Sequence, residues 1–182
     1  MMGSFFIRTE TPFDITEIFD MHNDAFAQDG EARLVNALRN DGDFTAALSL
    51  VAVHDDRIIG HVLFPPITIE SPDKNQDCVP ALALAPLGVD PAFQCQGVGA
   101  ALMEEGLNTC RDLGHRAVFV VGHPGYYPRF GFSTARAFGI TAPFPCPDEA
   151  FMAIELVPGA LDGVHGIVRY PPAFDAEGAH TG

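Results

Sequence analysis

Between Gln94 and Ala100 the chain reads Gln-Cys-Gln-Gly-Val-Gly-Ala, which sets two glycines at the start of an amphipathic helical pattern. Glycine lets a backbone come close to a ligand, and the first turn of a helix offers unpaired amides at the positive end of its dipole. The chemistry this combination suits is the holding of an anion, a phosphate above all. Gly97 to Met103 contains no Asp or Glu, so an external anion is expected where a carboxylate usually meets the helix start. Just upstream, the alternating Ala/Leu run from Pro80 to Val89 carries Pro86 and Gly88 at its end. Proline cannot donate to a strand ladder and glycine weakens it, so this strand is expected to splay from a neighbour and free backbone groups for an extended ligand. A glycine turn alone is weak evidence for phosphate binding. The conjunction of turn, acid-free helix start and interrupted strand is what gives it weight.

The elements that must position this turn follow from periodicity. On a helical wheel Val98, Gly99, Leu102, Met103, Gly106, Leu107 and Cys110 fill one half, and Glu104, Glu105, Asn108, Arg111 and Asp112 the other. This predicts a helix over 97–113 that stops at Gly114. Ahead of it, Ser4 to Arg8 reads as a strand, and Thr11-Pro12 opens a helix whose Ile15, Ile18, Phe19, His22 and Phe26 share a face. Gln28-Asp29-Gly30 interrupts before a second helical run with Leu34, Val35 and Leu38. Ala47 to Val53 and Ile58 to Ile69 form an expected hairpin around His54-Asp55-Asp56-Arg57, with Pro65-Pro66 placing the far end at a bulge or sheet edge. Ser71 to Asp77 reads as a loop. Ala117 to Val121 reads as a strand, Ser133 to Glu149 as irregular, and Phe151 to Leu156 and Val164 to Tyr170 as a final pair of strands. A chain of 182 residues suits a single domain, taken as 1–170, with 171–182 as a C-terminal tail.

These residues resemble a family. Gln94-x-x-Gly97-x-Gly99-Ala100 is similar to the Gln/Arg-x-x-Gly-x-Gly/Ala pyrophosphate motif of the GNAT superfamily of N-acetyltransferases. Leu87-Gly88-Val89-Asp90-Pro91 resembles the end of that family's pantetheine-pairing strand. Tyr127-Pro128-Arg129-Phe130-Gly131-Phe132 is similar to its Tyr-x-x-x-Gly-Phe segment, and Gly122 to Tyr127 and Tyr170 to Phe174 resemble its YhbS-type branch. The resemblance implies a three-layer α-β-α sandwich, an α/β fold with a mixed, mostly antiparallel sheet. It implies acetyl-CoA as cosubstrate, with Gln94, Cys95, Gln96, Gly97, Val98, Gly99 and Ala100 around the pyrophosphate and Leu87, Gly88 and Val89 along the pantetheine arm. It implies an acyltransferase that moves an acetyl group to a primary amine by direct attack, with Tyr127 as general acid on the departing thiolate. Two features depart from the family: His123-Pro124-Gly125 stands where many members have an asparagine arrangement, and no glutamate lies on the strand from Ala81 to Val89.

An alkylamine with a pKa of ~10.4 must lose a proton before it attacks at neutral pH. His123, just after the Ala117 to Val121 strand, is the candidate acceptor; His22, Asp24, His61 and Glu70 carry no motif. The loops 23–30, 71–76 and 133–149 are expected to shape the acceptor pocket. The acceptor is a small-molecule or protein amine, and the rival reading is a non-catalytic acyl-CoA-binding sensor. A formal charge of −14, with Lys and Arg totalling 10, disfavours nucleic acid as a partner. No apolar run approaches the ~20 residues of a membrane span, and Met1 to Ile7 is too short for a secretory signal. Cys78, Cys95, Cys110 and Cys146 show neither disulfide nor metal spacing. A metal-free cytoplasmic protein is therefore expected, with a homodimer left open.

Overall fold

Strand β1 (Phe6–Thr9) leads into a 3-10 turn and then helix α1 (Ile15–Phe26), in a computed structural model that describes residues 3–177. The entry to α1 is held by Asp14, whose carboxylate accepts from the Thr11 amide at 2.6 Å and from both Arg8 guanidinium nitrogens at 2.7 and 2.9 Å. Ala27 adopts a left-handed conformation at φ 54 and ends the helix. Helix α2 (Gly30–Arg39) follows, so the interruption at Gln28-Asp29-Gly30 is a real break between helices. Strands β2 (Ser49–His54) and β3 (Arg57–Leu63) form the expected hairpin, with positive φ at both Asp55 and Asp56, as a tight two-residue turn requires.

Alternation along β2 explains the layering. Val51 and Val53 face α1 and α2, where they pack with Ile18, Met21, Leu34, Val35 and Leu38. Leu50 and Ala52 face the opposite way, toward helix α3 (Val98–Asp112), and join its Val98, Leu102, Met103, Leu107 and Cys110. The sheet is thus covered on both faces, and the three-layer sandwich follows.

Strands β4 (Pro66–Glu70), β5 (Val79–Ala83), β6 (Leu87–Val89), β7 (Ala117–Val121), β8 (Ser133–Thr134), β9 (Ile140–Thr141), β10 (Phe151–Glu155) and β11 (Gly166–Arg169) complete the sheets. One sheet runs β1-β2-β3-β6 and the other β8-β10-β7-β5-β4-β11-β9, with parallel pairing at β5–β7 and at β9–β11. The two sheets part at one point in the chain. The Leu84 amide still donates to Phe119 of β7 at 2.8 Å, whereas the Ala85 amide donates to Leu63 of β3 at 3.1 Å. From there β6 follows β3 away from β7, and a wedge opens between β6 and β7.

Two local expectations are corrected. Pro65-Pro66 does break the run from Ile58 to Ile69, but it carries the chain from one sheet to the other, so β4 lies between β5 and β11 instead of at an edge. Pro65, just ahead of β4, takes part through its carbonyl, which accepts from the Ala83 amide at 2.9 Å. Strands β10 and β11 do not pair with each other; β10 joins β7 and β8, and β11 joins β4 and β9. Beyond Pro171, a short helix α4 (Ala173–Glu177) seats a fully buried Phe174 against Leu34 and Leu63, while 178–182 lie outside the described residues. No helix among the described residues is long and apolar enough to cross a membrane.

Candidate active site

The glycine turn closes the wedge at one end. Gly97 stands at the N-cap of α3 with φ 87, and Cys95 has φ 59, so the turn contains two left-handed residues separated by Gln96. Side chains on either side brace it: Gln94 Nε2 donates to the Val89 carbonyl at 3.1 Å and Gln96 Nε2 to the Ala92 carbonyl at 3.0 Å. Asp90 accepts from the Ala92 amide at 2.8 Å. The first turn of α3 carries no acidic residue, and its Val98, Gly99 and Ala100 amides have no acceptor within the helix. They line a cleft of about 610 Å³ together with Leu87, Val89 and Arg129.

The strand that borders this cleft presents its backbone to it. Leu63 donates to Pro86 and Asp90 donates to Ile59, so the even-numbered residues of this segment point their peptide groups at β3. Alternation then turns the amides and carbonyls of Leu87 and Val89 into the wedge. Gly88 pairs with His61, and its absent side chain leaves room for the His22 ring, whose Nδ1 would lie 2.6 Å from a Cβ at that position.

At the other end sits Tyr127, at the start of a 3-10 turn running to Phe130. Its ring meets Tyr126 edge-on at 5.1 Å and Phe132 at 5.7 Å, and lies against Gly122. Only 5% of the residue is exposed. Burial, with the neighbouring Tyr126, pushes its phenol up to about 12, so it is protonated at neutral pH. A second cleft of about 630 Å³ is lined by Tyr127, Phe26, Gly125 and the exposed His123. It shares Leu87, Gln94 and Tyr126 with the first, so one groove runs from the glycine turn to Tyr127. Arg129 lies over the Tyr126 ring at 4.5 Å and brings a cation to the turn end.

Behind β6 lies a buried polar chain. His22 Nε2 and His61 Nδ1 are 2.8 Å apart, His61 Nε2 lies 2.7 Å from Ser49 Oγ, and Ser49 donates to Glu10 in a short hydrogen bond. Arg39 donates to both Glu10 oxygens at 2.8 and 3.0 Å. Burial pushes the Glu10 carboxyl up, but contacts with His61, Arg39 and Ser49 outweigh it and bring it to about 2, from an ordinary 4.5. A carboxyl depressed on folding contributes stability that is complete above its ordinary value and is lost as pH falls toward the folded one. The contribution is on the order of 3 kcal/mol. Urea unfolding midpoints should accordingly drop between about pH 4.5 and 2, with a shallower drop for Glu10→Gln. Parallel curves for the two proteins would exclude this origin.

The groove therefore unites Leu87, Val89, Gln94, Cys95, Gly97, Val98, Gly99 and Ala100 with Tyr127 and His123. Gln96 instead braces the turn from outside and Gly88 faces α1. Of the three loops expected to shape an acceptor pocket, 23–30 reaches the Tyr127 end through Phe26. Ser71, Pro72 and Lys74 border a separate hollow with Gly139 and His165. The stretch 133–149 borders that hollow and another around Thr141, Phe144 and Cys146. Sequence reasoning gave no part to Phe26, Tyr126 or Arg129; Arg129 was legible as the cation inside the Tyr-Pro-Arg-Phe segment. Among the described residues no group of three or more His, Cys, Asp or Glu could hold a metal ion.

A splayed sheet with an anion-ready helix start at one end and a buried phenol at the other defines a class: proteins built around a long, anionic ligand. The sequence model of the acetyltransferase (GNAT) family matches residues 15–132. The uncharacterized N-acetyltransferase YhbS of Escherichia coli is 36% identical over 170 residues, 93% of this chain and 98% of that protein. The crystal structure of YhbS in complex with CoA superposes with a TM-score of 0.86 at 35% identity, covering 94% of this chain and 92% of that one. A GNAT family acetyltransferase from Brucella melitensis in complex with acetyl-CoA gives 0.75 at 33% identity, covering 94% and 99%. The chain belongs to the acetyltransferase (GNAT) family and has its fold.

Proposed function

We propose that this acetyltransferase takes its acetyl group from acetyl-CoA and passes it to a primary amine by direct attack. The observation that carries the reading is the continuity of the groove. It joins the acid-free start of α3 to the Tyr127 phenol along a strand edge whose Leu87 and Val89 peptide groups have no partner strand. That two relatives form complexes with CoA and acetyl-CoA supports the choice of carrier. The pyrophosphate sits on the amides of Gly97 to Ala100, and the pantetheine arm pairs with Leu87 and Val89. Tyr127 protonates the thiolate as the C–S bond breaks; its raised pKa keeps the proton available at neutral pH. His123, on the exposed rim, passes to solvent the proton an ammonium must lose before it becomes a nucleophile.

Acetyl-CoA should raise the melting temperature of the protein, and ATP and NAD should not. A panel of polyamines, amino acids, aminoglycosides and peptide N-termini should contain at least one amine that releases free CoA. Stabilisation by nucleotides but not by acetyl-CoA would overturn the cofactor assignment. Tight acetyl-CoA binding without turnover on the whole panel would count against amine transfer.

A further inference from the structure

His22 is wholly buried, and its Nδ1 is, with Asn23 Oδ1, one of two buried side-chain polar atoms without a hydrogen-bond partner among the described residues. Buried polar atoms left unpaired are rare, so an adjacent pair on one helix points to a function. The chemical character of His22 Nδ1 can be worked out from the far end of the polar chain. Glu10 is an ionised carboxylate held by Arg39, so it can only accept, and the single hydroxyl proton of Ser49 goes to it. Ser49 Oγ must then accept from His61 Nε2–H. His61 Nδ1 is left as a lone pair, which accepts from His22 Nε2–H. His22 Nδ1 is therefore an unprotonated lone pair, its tautomer imposed through three hydrogen bonds by a carboxylate on another element.

That lone pair lies against Gly88, on the short strand that borders the groove. The ring stacks on Phe26 at 5.8 Å, and Phe26 lines the Tyr127 end. We propose that His22 Nδ1 is the proton acceptor for the attack step, reached from the acceptor nitrogen through one water past Phe26. This rests on the amine transfer proposed above. As the nitrogen bonds the acetyl carbon, its surplus proton passes through that water to His22. The C–S bond breaks, and sulfur takes the Tyr127 proton. The resulting imidazolium and phenolate then neutralise each other through groove water. The ammonium has already released its first proton at the rim, so one proton appears in solvent per acetyl group transferred.

The division of labour follows from basicity. Burial, then the neighbouring His61 and Arg39, lower the pKa of His22 well below the usual histidine value. It is too weak a base for a free alkylammonium, whose pKa is ~10.4. A nitrogen already sharing its lone pair with the acyl carbon is far more acidic, and for that proton a weak, desolvated base suffices. The titratable groups around it are accounted for: His61 from β3, and Arg39 from α2, which also acts on it electrostatically. Glu10 and Asp14 act on His61 from the β1 side, and β6 contributes only Leu87, Gly88 and Val89.

Two measurements on the full chain test this. With an amine that the wild type acetylates, His22→Gln should lower kcat by about 100-fold or more at neutral pH. KM for acetyl-CoA should stay unchanged, and the loss should shrink as pH rises toward about 10 and hydroxide takes the proton instead. Ser49→Ala, which cuts the chain without touching the groove, should give a smaller loss of the same pH shape. A wild-type kcat for His22→Gln, or a loss equal at every pH, would overturn the proposal. Long-range nitrogen–proton correlation spectra of the wild-type histidines test it independently of whether the variants fold. Protonation of both rings at Nε2, with His22 Nδ1 bare, supports it; a proton on His22 Nδ1 in the neutral ring overturns it. If the wild type acetylates no amine, the transfer reading fails; if it does and His22→Gln is unaffected, only this inference fails.

Discussion

Tyr127→Phe is expected to lower kcat by about 10²–10⁴-fold, the range that loss of a general acid produces, while acetyl-CoA binds nearly as before. The ring of Tyr127 is fixed by Tyr126, Phe132 and Gly122, and phenylalanine keeps all three contacts. Only the hydroxyl is lost, so stability should change by no more than about 1 kcal/mol. The pyrophosphate end is untouched, which is why affinity and turnover should separate. Isothermal titration with acetyl-CoA beside steady-state kinetics on one amine measures both. A near-normal kcat would remove Tyr127 from the mechanism, and a parallel loss of affinity would make it a wall of the groove.

The second large effect is expected at Gly97, where Gly97→Val should weaken acetyl-CoA binding by about 100-fold, equivalent to about 2.7 kcal/mol. Its φ of 87 is closed to a β-branched residue, so the turn must shift at a cost of about 1–3 kcal/mol. A Cβ built there meets nothing within 4 Å, and Gly97 lines the cleft beside Val98, Gly99 and Ala100, so the added side chain is expected to crowd an anion held there. Gly99→Ala is the matched control. Its Cβ would sit 3.5 Å from the Tyr126 hydroxyl and 3.6 Å from Val89, ordinary contact distances, so binding should persist. Unchanged affinity in Gly97→Val, or equal losses in the two variants, would contradict this placement of the pyrophosphate.

The parts of this protein that were legible beforehand share a cause: their signal is local. The acid-free start of α3, the glycine turn that opens it and the stop at Gly114 are properties of a single helix, and the structure reproduces them within a residue. The same holds for the β2–β3 hairpin, where two consecutive aspartates supply the turn. The choice of a strand's partner has no such local signal. Pro65-Pro66 read as the end of a strand, yet whether β4 would lie at an edge depended on β11, nearly a hundred residues away.

By itself, the sequence determined the order of elements, the glycine turn and the position of Tyr127, because each is written in neighbouring residues. Only the tertiary structure decided that the wedge opens at Leu84 and Ala85, where one strand changes partner from β7 to β3. It also decided that Glu10, His22, Arg39, Ser49 and His61, drawn from five separate elements and connecting segments, make one hydrogen-bonded chain. No spacing announces such a set. Its members meet because α1 and α2 pack on the face of the sheet that carries Ser49 of β2 and His61 of β3, and the tautomer of His22 follows from that meeting alone.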